Sequence, residues 1–155
     1  MDKDGLFAQI GQAVSVMSRG EPMKSDEVLV SELAEATTGL MMMSESDYPF
    51  ATLRFDAKTA ITPRFLHTLA REDESAPVVE QSVDDFFRAA VSEPDWKKDE
   101  ELKTARRYQS LVRLLKENLS DLKVYRVGAV NISVFIIGRS GNQTLLGLST
   151  RVIET

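Results

Sequence analysis

The last third of the chain constrains the fold most. Between about Asp99 and Leu119, the residues Leu102, Ala105, Tyr108, Val112, Leu115 and Leu119 recur every three or four positions, the period of a helix with one buried face. Asp99, Glu100 and Glu101 open that stretch, where carboxylates favour the helix dipole. The period then changes to two. Val124 to Val127 reads as a short strand, Val130, Ile132, Val134 and Ile136 alternate along a second, and Leu146, Leu148, Thr150 and Val152 along a third. Gly138-Arg139-Ser140-Gly141-Asn142 reads as the hairpin turn between the last two. Strands joined by such short turns pair antiparallel. Their apolar faces must be covered, so the pattern predicts an α+β domain in which helices pack on a largely antiparallel sheet.

The upstream sequence supplies the covering helices. Ser25 is placed to cap a helix whose apolar face is Val28, Leu29, Leu33 and Ala36, with Asp26 and Glu27 in its first turn and Gly39 at its end. The run Leu40, Met41, Met42 and Met43 reads as core packing, because methionine fills irregular gaps. Ala51, Leu53 and Phe55 alternate as a strand entered from Pro49. Thr62 to Ala70 reads as a short helix and Arg71 to Ser75 as a polar loop. Ser82 caps a helix carrying Val83, Phe86, Phe87 and Ala90, and Pro94 and Trp96 fall in the connection after it. Ahead of all this, Leu6, Ile10, Ala13, Val14 and Met17 suggest an amphipathic helix, broken by Ser18 to Pro22. The expected organisation is an extension over 1–24 and one domain over 25–155.

Composition narrows the chemistry. Nineteen basic residues face twenty-four acidic ones, for a net charge of −5. That balance disfavours phosphate gripping and suits a basic partner, though composition alone favours the plainer reading of simple solubility. Cysteine is absent, which excludes disulfides and thiolate metal sites and fits a reducing compartment. No stretch approaches the roughly 20 apolar residues a bilayer needs. The acidic start Asp2-Lys3-Asp4 is wrong for a secretory signal, so the expected location is the cytoplasm. The single histidine, His67, sits in an apolar helical setting and reads as structural. Ser44 and Ser46 lack a nucleophile-elbow motif, and the acidic clusters lack calcium-loop spacing. The residues offer no constellation for an enzyme, no cofactor site and no small-molecule substrate site.

Three local features stand out. Ser44-Glu45-Ser46-Asp47-Tyr48-Pro49-Phe50 is an acidic link that projects oxygen atoms. Asp95-Trp96 puts the sole tryptophan in a polar connection, where residue type alone favours a boundary core position over an exposed anchor. The last strand runs nearly to Thr155.

Together with Val83 to Phe87, Asp99-Glu100, Val124 to Gly128, Val134 to Gly138 and Gly147 to Thr155, these stretches resemble the nuclease A inhibitor family from about Ser25 onward. The resemblance implies an α/β/α sandwich similar to plant pathogenesis-related proteins of the first class. It implies a partner, a sugar-non-specific endonuclease of the ββα-metal type, bound in a 1:1 complex. It also implies that Glu45, Asp95, Trp96 and Thr155 touch that partner. Glu45 would offer a carboxylate to the nuclease's Mg²⁺, Thr155 would reach the same metal by its hydroxyl or terminal carboxylate, Asp95 would meet a basic side chain, and Trp96 would supply apolar area. The protein would need no metal of its own. Lys97 and Lys98 depart from the acidic face so expected. The alternative is a binding module of the same fold with another partner, reached through residues 1–24.

Overall fold

A computed structural model describes residues 24–155. The helix expected over residues 6–17, and almost all of the extension, lies outside the described residues. The described elements run α1 (Asp26–Thr37), β1 (Met41–Met42), β2 (Tyr48–Pro49), β3 (Ala51–Phe55), α2 (Pro63–Ala70), β4 (Val78–Gln81), α3 (Val83–Val91), α4 (Asp99–Asn118), β5 (Ser120–Val127), β6 (Asn131–Arg139) and β7 (Leu145–Ile153).

The last three strands form a meander at the centre of a five-stranded sheet ordered β3-β7-β6-β5-β4. Every neighbouring pair in it is antiparallel. Strand β6 is the middle strand and is buried on both faces from Ile132 to Gly138. That corrects the reading of one apolar face: a central strand covered on both sides loses the simple alternation of a half-solvated sheet. On one face Ile132, Val134 and Ile136 meet Leu146, Leu148 and Val152 under Leu29 and Leu33 of α1, Phe87 of α3, and Tyr108, Leu111 and Leu115 of α4. On the other, Val127, Phe135, Ile137 and Leu145 pack with Leu66 of α2. The result is an α+β domain with helices on both faces of an antiparallel sheet.

Local chemistry explains several element ends. The side chains of Ser25, Thr62 and Ser82 each accept a hydrogen bond from a first-turn N–H, at Val28, Phe65 and Asp85 respectively. Gly39 adopts φ +72° just past α1, as a helix stop requires. Gly128 turns β5 into β6 at φ +120°, where an added Cβ would lie 2.7 Å from the Asn131 carbonyl.

Several expectations need correction. Val28 is 46% exposed while Asp26 is buried. Asp26, Leu29 and Leu33 form one stripe at helical spacing, and Val28 falls off it. The methionine run is only partly core: Leu40 is buried and Met42 packs on the core, but Met41 and Met43 point out, Met43 being 72% exposed. Met41 and Met42 form a short strand ribbon, β1 paired with β2, where neighbours alternate sides, and Leu40 and Met43 flank it. Strand β4 had no visible signature, being four residues long and ending in Glu80 and Gln81. Strand β5 starts at Ser120, earlier than expected, through an irregularity before Lys123. The last hairpin turn is shifted, since Gly138 lies within β6 and Ser140 donates its N–H to the Thr144 carbonyl at 2.9 Å. Val130 is exposed ahead of β6. No described helix is long and apolar enough to cross a membrane.

Candidate partner-binding site

The link from β1 to β2 is stitched to the end of β7. Ser44 does the stitching: its hydroxyl accepts from the Ile153 N–H at 3.0 Å and donates to the Ser46 carbonyl at 2.7 Å. The Glu45 N–H points at the Ile153 carbonyl, 3.4 Å away. Behind the link, the Thr150 hydroxyl donates to the Pro49 carbonyl at 2.9 Å. The backbone around Glu45 therefore takes its position from a strand of the central sheet.

Thr155 closes this arrangement. Its N–H donates to Glu45 Oε2 at 2.7 Å, and its hydroxyl lies 2.8 and 2.9 Å from the two carboxylate oxygens. Glu45 is exposed nonetheless. The Thr155 N–H, and after it the Thr155 hydroxyl, hold the Glu45 carboxyl below the usual glutamate range. The carboxylate is thus ionised, oriented and open to a partner on its remaining lone pairs. Beside it lies a depression of about 370 Å³ between Met43, Gln81, Phe86, Arg126 and Glu154. Arg126 pairs with Glu154 across it at 2.8 Å. The sequence carried no signal for that pairing, which joins β5 to the residue just past β7.

Asp95 and Trp96 belong to a second projection. They are the central residues of a turn closed by the Lys97 N–H donating to the Pro94 carbonyl at 3.0 Å. Trp96 is 66% exposed, which corrects the boundary-core reading of it. Asp95 is exposed beside it. Both shoulders of the turn are fastened. Glu93 accepts from Gln109 Nε2 at 2.6 Å and from Arg106 Nη2 at 3.3 Å, both on α4. The Gln109 bond, then Arg106, hold the Glu93 carboxyl below its usual range. On the other shoulder, Lys97 Nζ donates to the Ser92 carbonyl at 2.9 Å and the Ala89 carbonyl at 3.2 Å, at the C-terminal end of α3. Cations are favoured at such an end.

The structure thus brings Glu45 and Thr155 together and presents Asp95 and Trp96 separately. The two projections share no hydrogen bond, ion pair or cavity wall among the described residues.

The Ser44 hydroxyl is occupied on both sides, and His67 lies on α2, with its Nε2 2.8 Å from the Ala76 carbonyl. That contact matches the structural reading of His67. Among the described residues no three histidine, aspartate or glutamate side chains gather as a metal site would need.

An α+β domain that offers an oriented carboxylate and an exposed tryptophan on separate loops has the features of a protein that acts through its surface. The family described as nuclease A inhibitor-like protein matches residues 27–155, most of the chain, and the chain belongs to it. No individual curated protein matches.

Proposed function

We propose that this protein inhibits a Mg²⁺-dependent, sugar-non-specific endonuclease of the ββα-metal type by occupying its active site in a 1:1 complex. The observation that supports the reading best is the Glu45 carboxylate, exposed yet fixed by Thr155. In the complex Glu45 stands in for a phosphate oxygen toward the nuclease's metal, which takes hard oxygen ligands and keeps several waters. The Thr155 hydroxyl lies next to that oxygen and orders the water between. Asp95 meets one of the basic side chains that grip phosphate, and Trp96 covers apolar area at the rim. The net charge of −5 favours encounter with such a basic cleft. The protein performs no catalysis, binds no nucleic acid itself, and acts in the cytoplasm of the cell it protects.

The test is a titration of the full chain into a ββα-metal nuclease with Mg²⁺, following DNA degradation. Activity should fall linearly and vanish near an equal molar ratio, and Glu45→Ala should abolish that sharp end point. Undiminished activity at large molar excess, across several nucleases of this type, would overturn the reading.

A further inference from the structure

Lys97 and Lys98 look out of place beside Asp95 and Trp96 if that face meets a basic partner. The geometry gives them different jobs. The Lys97 ammonium is spent on the last carbonyls of α3, 2.9 and 3.2 Å away, and it stands 5.7 Å from the centre of the Trp96 ring. A cation at that distance is attracted to the indole face. Lys98 precedes α4 and makes no side-chain capping bond to it.

We infer that Lys97 is a positioning residue for Trp96. It fastens the turn to α3 with its ammonium and, from the same atom, holds the indole in one orientation. Glu93 does the complementary work on the α4 side. The cost to Lys97 of being ordered is met by the two helix carbonyls, so the indole need not supply it. An aromatic anchor fixed before binding loses less freedom on association, which raises affinity without any new contact. The positive charge sits against the negative end of α3, which offsets part of it. The consequence for affinity rests on the proposed contact of Trp96 with the nuclease, whereas the positioning itself does not.

Because Trp96 is the only tryptophan, the free protein reports its own state by fluorescence. Full-length Lys97→Met, Lys97→Arg and Lys98→Met would be compared by anisotropy decay, acrylamide quenching and circular dichroism, then by inhibition. Lys97→Met should speed local indole motion and raise quenching with unchanged circular dichroism. Inhibition should weaken by about two- to fivefold, the size of an exposed cation–π contact. Lys97→Arg should restore both, since a guanidinium also donates to two carbonyls and stacks on indole. Lys98→Met should leave the fluorescence unchanged. Lys97→Met with wild-type anisotropy and quenching would overturn the inference, and so would an equal response from Lys98→Met. A loosened indole with unchanged inhibition upholds the positioning and removes Trp96 from the proposed contact. Should Lys97→Met fold poorly, Lys97→Gln makes the same comparison with a polar tip.

Discussion

The Glu45 link and the Trp96 turn are both exposed and both fastened, by opposite means. The first hangs from a strand: its bonds run to Ile153 and Thr155 at the end of β7. The second hangs from helices: its bonds run to the end of α3 and to the flank of α4. Each is fixed through a carboxylate that accepts hydrogen bonds and is held ionised below its usual range. In the first that carboxylate, Glu45, is the group displayed. In the second it is Glu93, a support behind the display. A displayed carboxylate must stay accessible while being oriented, and a neighbouring hydroxyl and N–H achieve both. An aromatic anchor needs only a stiff turn beneath it. If Glu45 and Trp96 meet the partner as proposed, polar and apolar recognition ask different things of the same fold.

The comparison can be broken first through what the two regions share. Phe87 is fully buried, its ring 6.4 Å from Phe50, which follows the Glu45 link, and 5.8 Å from Tyr108 of α4. Phe87→Ala should lower stability by about 3–5 kcal/mol, measured by urea unfolding, and both projections should be lost in one transition. Separate transitions for Trp96 fluorescence and for the Thr155 amide would show that the two regions do not depend on one core.

Next in size, Glu45→Ala should weaken inhibition by about 100-fold and Trp96→Ala by about thirtyfold, the range of interface hot spots. Glu45→Gln sharpens the contrast. The amide still accepts a bond from Thr155 but offers no charge to a metal, so its loss should approach that of alanine. A glutamine variant as potent as wild type would mean that the carboxylate acts by shape alone.

Thr155→Val should cost about fivefold, the effect of removing one hydroxyl from a charged acceptor while the backbone N–H remains. The smallest effect is that of pH. Since the folded carboxyl of Glu45 lies below its ordinary 4.5, its tie to Thr155 is fully present above that value. The tie is lost as pH falls through the folded value. The Thr155 amide resonance should hold steady at neutral pH and shift only in acid. Glu45→Gln should abolish the shift. A midpoint above 4.5 would contradict the geometry.

How much of this was legible varies by element. Helix α4 was readable nearly to the residue, because five apolar positions repeat along it and a sixth, Leu119, is its C-cap. The caps at Ser25, Thr62 and Ser82 were equally local, and two of them, Ser25 and Ser82, are named by residue type alone. Strand β4 was not readable, because four residues at a sheet edge bury too little to leave a pattern. Trp96 was misread in residue-by-residue terms, since large aromatics usually go inside.

The sequence by itself determined the periods, the helix starts, the antiparallel pairing of the last strands, and which residues carried the resemblance. These depend on neighbours a few positions apart. Tertiary structure alone decided that Thr155 grips Glu45 across 110 positions of chain and that Arg107 reaches the Ala36 and Thr38 carbonyls at the end of α1. It also decided that the Lys97 ammonium meets the Ala89 and Ser92 carbonyls at the end of α3. Those contacts depend on where packing brings distant segments to rest, and no local pattern encodes that.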